Sequence, residues 1–433
     1  MKGLRRIYET LALASAAHAR WDYETSVSIL KSRKKMLILL ALLLPILAVA
    51  IASATDLPHI LGGKKAYAPA TYTTTIFLSS IGIGLIAGLI TGCIGAGGGF
   101  VIAPALMSAG IKGITAVGTD LFHIFAKAIM GTAVHKKLGN VSVGLAIAFV
   151  GGSIIGVLGG GVINRALYNM NPVISDTFIS LVYALLLGFL GFYALADFLK
   201  SRKSSDSGGA HGGGSAGDLT GLPLKLQSIN LPPMISFDED LVPGGRKLSG
   251  WIVGVCGTFV GFVAAIMGVG GGFLTFPIFV YMLGVSSFTT VGTDILQIIM
   301  TAGFASITQY AIYGFVFYTL AMGMLLGSLI GIQVGALTTK VVRGIYIRAF
   351  YAMAVLAGFI NRLFALPKKF SELGWIDIGS STASAFDTIG IILFFLVVTT
   401  FGIFVFGKFF GNLAELRGEE IPATQAKRAS AGK

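Results

Sequence analysis

Twelve apolar runs, most of them near the length that crosses a bilayer, constrain this chain more than any other feature. They fall at 36–54, 76–94, 98–111, 116–134, 141–163 and 177–199, and again at 250–267, 271–284, 290–313, 315–339, 345–364 and 387–410. A transmembrane helix needs ~20 predominantly apolar residues. Only 12% of the 433 residues are charged and 55% are hydrophobic, whereas a soluble chain carries about 25% charged residues. The reading is an all-α, multi-pass membrane protein. The net charge of +13 does not imply a nucleic-acid partner. The basic residues lie mainly between runs and at the ends, where positive charge sets orientation. Two cysteines, Cys93 and Cys256, sit inside apolar runs, and five histidines are scattered. Neither set has the spacing of a disulfide framework or a metal site, so no cofactor is expected.

The first run ends in Ala52-Ser53-Ala54, which resembles a signal-peptidase site. However, 35 residues with eight Lys or Arg precede it, far more than a usual signal leader. A retained first span is expected.

The two halves repeat. Gly95 recurs as Gly268 and Pro104 as Pro277, each at an offset of 173. Val117-Gly118-Thr119-Asp120 recurs at 291–294, and Gly152-Ser153-Ile154-Ile155-Gly156 recurs as Gly327-Ser328-Leu329-Ile330-Gly331. Ordered recurrence of this kind marks an internal repeat. The expected organisation is a basic cytoplasmic segment (1–35), a first span (36–54), repeat 1 (76–199), a cytoplasmic linker and insert (200–248), repeat 2 (249–364), an outer loop (365–386), a last span (387–410) and a cytoplasmic tail (411–433). Residues 201–217 read as a flexible Gly/Ser linker, and 219–248 as a small ordered or strand-like patch.

Each repeat holds five helical segments if the glycine-rich stretch is a turn, and an odd number inverts the second repeat. With the N-terminus in the cytoplasm, twelve segments place 24 Lys or Arg inside and 7 outside. Fusing each broken pair into one crossing gives 18 and 13. The inverted arrangement obeys the positive-inside tendency better, and both termini are then cytoplasmic. The short runs 98–111 and 271–284 could also be re-entrant, with partly extended returns.

The breaks themselves read Gly95-Ala96-Gly97-Gly98-Gly99-Phe100 and Gly268-Val269-Gly270-Gly271-Gly272-Phe273. Irregular backbone at membrane depth is tolerated only inside protein or beside a polar cavity. Glycine permits reversal at positive φ and close approach of a ligand. A helix starting at Phe100 or Phe273 presents unpaired N–H groups and a positive dipole end. Two such ends near the midplane would suit an anion. The competing reading is that these glycines only allow close helix crossing.

Each repeat thus reads GxGGGF, then Pro, then Gly, then VGTD. This set resembles the sulfite exporter TauE/SafE family of membrane permeases, across most of 76–364. The resemblance implies an internal duplication and movement of sulfite, sulfonates or related organosulfur anions. It carries over to Gly97, Gly98, Gly99, Pro104, Gly118 and Thr119, and to Gly270, Gly271, Gly272, Pro277, Gly292 and Thr293. One departure stands out. The residue after Gly-Thr is often serine in the family, and here it is Asp120 and Asp294. The N-terminal extension, the 201–248 insert and the last span exceed the family core.

Asp120, His123 and Lys127 share one helix face, and their mates are Asp294, Gln297 and Thr301. Ionisable groups within a span are costly and tend to face a cavity. Lys127 is a candidate substrate ligand, or else a structural or snorkelling cation. Asp120 and Asp294, with His123 and Gln297, are candidates for ion or proton coupling. The alternatives are helix capping by the aspartates and satisfied packing for the histidine. Gln309 and Gln333 could line a pathway. The rows Gly152/Gly156/Gly160 and Gly327/Gly331/Gly335 read as helix contacts.

The expectation is a secondary permease for a small anion, since no phosphate-binding loop for ATP occurs. Its partners would be that anion, the lipid bilayer and a coupling proton or sodium ion, with oligomerisation left open. The rivals are a cation- or proton-coupled carrier of a non-sulfur substrate and a non-transporting membrane scaffold. Neither metal-ligand spacing nor a nucleophile elbow suggests an enzyme.

Overall fold

The computed structural model describes residue 33 and residues 74–94, 98–138, 142–203, 221–238, 245–339, 341–342 and 344–412. The expected first span (36–54), nearly all of 1–35, Gly97 and the tail from 413 onward lie outside them. Repeat 1 contributes α1 (Thr74–Ile94), α2 (Gly99–Ser108), α3 (Gly113–Leu138), α4 (Val143–Met170) and α5 (Pro172–Lys203). The insert holds a short α6 (Leu222–Gln227) and an antiparallel hairpin, β1 (Met234–Phe237) with β2 (Arg246–Ser249). Repeat 2 contributes α7 (Gly250–Met267), α8 (Gly272–Pro277), α9 (Ser287–Ala305), α10 (Tyr318–Thr338) and α11 (Gly344–Glu372), followed by α12 (Ser380–Gly411). A π-helical turn, Ile278–Met282, prolongs α8, and π- and 3-10-helical turns carry α9 to Tyr313. Among the described residues, eight helices are long and apolar enough to cross a membrane. The polytopic all-α reading holds. The stretch 365–386, expected as an outer loop, is mostly helical, because α11 runs on to Glu372 and α12 starts at Ser380.

Lipid tails are as apolar as leucine, so helices associate here by close packing rather than by escape from water. The glycine rows supply that packing. A Cβ on Gly84, Gly88 or Gly92 of α1 would strike the backbone of Met324, Ser328 or Ile332 on α10. A Cβ on Gly152, Gly156 or Gly160 of α4 would strike Gly254, Thr258 or Phe262 on α7. The first helix of each half therefore packs, in parallel, on the fourth helix of the other. The third helices meet each other, with Gly118 against Tyr310 and Phe125 against Gly303. The fifth helices do likewise, with Gly188 against Phe359 and Gly191 against Leu356. In both of these pairs the residue numbers run oppositely, so equivalent helices of the two halves are antiparallel.

The starts of the two third helices are pinned by remote carboxylates. Asp176 Oδ1 on α5 accepts the Gly113 N–H at 2.7 Å. Asp238, at the end of β1, accepts the Ser286 N–H at 2.9 Å and the hydroxyls of Ser286 and Thr289 at 2.6 and 2.5 Å. A carboxylate facing a helix N-terminus is favourable by ~0.3–1 kcal/mol, and more when partly buried. The β-hairpin thus serves to seat α9.

Candidate functional site

At the second break the chain leaves α7 through Gly268 (φ +83°), then passes Gly270 (φ +64°) and Gly271 (φ +85°). L-residues with a Cβ avoid this region, so three glycines close a turn that other residues would strain. The turn doubles back, and a Cβ on Gly271 would stand 2.7 Å from Val260 Cγ1 of α7. At the first break Gly98 has φ −66°, so positive φ is not what it supplies. Close approach is: a Cβ there would be 2.5 Å from the Ala87 carbonyl oxygen. Both helices begin one residue earlier than expected, at Gly99 and Gly272.

The two breaks touch. A Cβ on Gly99 would lie 3.0 Å from the Cα of Val269. Each break also meets the third helix of its own half in the same way. The Gly99 position is 3.0 Å from Ile124 Cδ1 and 3.3 Å from Asp120 Oδ2. The Gly272 position is 2.8 Å from Ile298 Cδ1 and 3.3 Å from Asp294 Oδ2. Each of these short helices therefore starts beside a carboxylate of the chain itself.

The aspartates are not N-caps. Each lies two turns inside its helix, because α3 begins at Gly113 and α9 at Ser287. The capping role falls to Ser286, whose Oγ accepts the Thr289 N–H at 3.2 Å. The neighbouring threonines carry a structural load. Thr119 Oγ1 accepts the Phe317 N–H before α10 at 2.9 Å, and Thr293 Oγ1 accepts the Ser142 N–H before α4 at 3.0 Å. Phe100 is buried edge-on against Tyr351, and Phe273 is buried as well.

Lys127 points at the start of α2. Its Nζ donates to Thr91 Oγ1 at 3.4 Å, and the Gly98 N–H donates to the same oxygen at 2.9 Å. Thr91 in turn donates to the Ala87 carbonyl at 2.8 Å. An ammonium and a helix N-terminus, both positive, thus converge on one neutral oxygen.

Three residues after each aspartate, a polar side chain links its third helix toward the other repeat. In half 2, Gln297 Nε2 donates to Asp294 Oδ1 at 2.7 Å and to Thr275 Oγ1 at 3.2 Å. Gln297 Oε1 accepts from Thr301 at 3.1 Å, and Thr301 shares a 2.7 Å hydrogen bond with Ser153 of α4. In half 1, His123 Nδ1 stands 3.6 Å from Asp120 Oδ1, and its Nε2 is 3.0 Å from Ser328 Oγ of α10. Thr91, Thr275, Ser153 and Ser328 were not singled out from the sequence. Ser153 and Ser328 had a signal, because they occupy equivalent places in the repeated glycine rows. Gln309 is tied to Arg165 Nη1 at 2.6 Å, away from the breaks, and Gln333 is half-buried on α10.

A model of the sulfite exporter TauE/SafE family matches residues 80–361. The chain belongs to the sulfite exporter TauE/SafE family. It is 25% identical over 264 residues to the probable membrane transporter protein YjnA of Bacillus subtilis, covering 60% of this chain and 89% of that protein. It is 26% identical over 204 residues to the probable membrane transporter protein MJ0441 of Methanocaldococcus jannaschii, covering 45% and 58%. No solved structure matches the chain. The TauE/SafE match spans both glycine breaks, both third helices and both glycine rows, so the symmetric geometry described above lies within the family core. This is a family of membrane transporters.

Proposed function

We propose that this TauE/SafE protein is a secondary permease for a small sulfur oxyanion, sulfite or an organosulfonate, bound where the two glycine breaks meet. The observation that carries this reading is the convergence of Lys127 Nζ and the Gly98 N–H on Thr91 Oγ1 at the start of α2. An anion there would meet a cation, the Gly98 N–H now held by Thr91, and a helix dipole. Gly99, Gly270 and Gly272 keep side chains out of its way. Antiparallel equivalent helices suit alternating access by rocking one repeat against the other, with both termini in the cytoplasm. A scaffold would need none of these features.

Labelled sulfite counterflow in proteoliposomes is the test. Vesicles preloaded with unlabelled sulfite should accumulate label transiently above equilibrium. Failure to overshoot with both sulfite and methanesulfonate would remove this substrate class.

A further inference from the structure

Asp120 is wholly buried, and among the described residues neither of its carboxylate oxygens has a hydrogen-bond partner. Its mate Asp294 accepts a 2.7 Å hydrogen bond from Gln297. Along the helix face these two aspartate environments differ at two positions, histidine for glutamine and lysine for threonine. Glutamine donates one fixed hydrogen bond to a carboxylate. Histidine can take up a proton on one nitrogen and release one from the other.

The geometry points to a proton-coupled anion carrier with one titrating half, in which Asp120 takes a proton through His123 and so vacates the start of α2 for the substrate anion, while Asp294 keeps the start of α8. This rests on the anion site proposed above. An unpartnered carboxylate in a low-dielectric interior is costly, and neutralising it removes the cost. While ionised, Asp120 is itself the anion of the α2 end, 3.3 Å from the Gly99 Cβ position, and it competes with any other anion for that dipole. Once protonated it leaves Lys127 and the helix end uncompensated, and the substrate anion fills the deficit.

The proton route balances. With His123 as its Nδ1–H tautomer, a proton taken up at Nε2 releases the Nδ1 proton to Asp120 Oδ1 once the 3.6 Å gap between them closes to hydrogen-bond distance. The imidazole ends neutral in its other tautomer, and a second transfer resets it when the proton leaves. One proton accompanies one anion. Other polar groups surround this pair, among them the buried Tyr318 hydroxyl, which has no hydrogen-bond partner among the described residues, and Ser328, which donates to the Leu325 carbonyl. Lys127 on α3 and Tyr183 on α5 interact with Asp120 electrostatically. Tyr183 already donates its hydroxyl proton to the Met267 carbonyl. From α1, Cys93 donates to the Gly335 carbonyl and Thr91 to that of Ala87. From α10 come Ser328 and Tyr318, whose ring packs on Phe122. From α2 and the second break come glycines, and Asp294 is held by Gln297.

Two measurements on the full-length protein test this. The first is infrared difference spectroscopy across a pH titration, which reads carboxyl protonation without any transport. A component of the protonated-carboxyl band should be lost in Asp120→Asn and retained in Asp294→Asn. The second is labelled sulfite accumulation in proteoliposomes under an imposed pH gradient, beside counterflow at equal pH. In His123→Gln, which copies the second half's arrangement, sulfite counterflow and gradient-driven accumulation should both fall at least tenfold while the protein still melts in detergent as the wild type does. A band that ignores Asp120→Asn, or a His123→Gln protein that accumulates sulfite as the wild type does, overturns the proposal. If the wild type gives no sulfite counterflow but the band behaves as stated, the proton site stands and the sulfite reading falls.

Discussion

Thr119 on α3 accepts the backbone N–H of Phe317 at 2.9 Å, so a motif residue of one half holds the entry to a helix of the other. Both groups are buried. Thr119→Val keeps the shape and removes the acceptor, leaving a buried N–H unpaired at a cost of about 1–3 kcal/mol. The variant should unfold at a lower temperature in detergent, and Thr119→Ser should recover most of the loss. Thr293→Val should behave alike through Ser142. Unchanged melting in both valine variants would mean that these threonines are not anchors and would leave them as candidates to contact the substrate.

The antiparallel crossing of α3 and α9 sets their C-terminal ends on opposite faces. Position 137, in the last turn of α3, is expected in the cytoplasm and position 314, just after α9, outside. Single cysteines at each, in a background with Cys93 and Cys256 replaced, should react oppositely with an impermeant thiol reagent on intact cells. Equal labelling at both positions would sink the inverted topology.

The glycine turns give a third expectation. Gly271→Val puts a β-branched residue at φ +85° and drives its Cβ to 2.7 Å from Val260. Gly98→Val drives its Cβ to 2.5 Å from the Ala87 carbonyl oxygen. Both should abolish transport while much of the protein still inserts, since the spans are untouched. Wild-type sulfite counterflow by either variant would make the breaks mere packing elements.

How much of this was legible beforehand follows from where each signal sits. The segments on either side of both breaks were legible because hydrophobic length and glycine are local signals. The capping alternative for the Thr-Asp pairs fails for the opposite reason. The cap of α3 comes from Asp176, 63 residues away in sequence, so nothing near Asp120 says that the helix has already begun at Gly113. Likewise the order Asp-His-Lys against Asp-Gln-Thr showed an asymmetry, but not that Ser328 and Ser153 complete the two chains. Those contacts join residues 205 and 148 positions apart. The positive φ that glycine permits is used at Gly268, Gly270 and Gly271 but not at Gly98, where backbone proximity, invisible in sequence, sets the requirement.

Lys127 is the residue on which the anion reading can be lost most directly. Its equivalent, Thr301, is engaged by Ser153 and Gln297 and has no charge to offer. Lys127 instead reaches the start of α2 beside the Gly98 N–H. Truncating one partner of a desolvated charge pair costs ~2–5 kcal/mol. At 1.4 kcal/mol per factor of ten, this is ~30-fold or more in affinity. Lys127→Gln should therefore raise the half-saturation concentration for sulfite uptake by about that factor. Thr301→Val should shift it far less and instead lower thermal stability, because it breaks a buried chain of hydrogen bonds. Concentration-dependent uptake in vesicles, at matched protein levels, separates the two. If the Lys127→Gln curve overlays the wild type, the ammonium is there to brace Thr91 and the first turn of α2, and the anion must bind elsewhere.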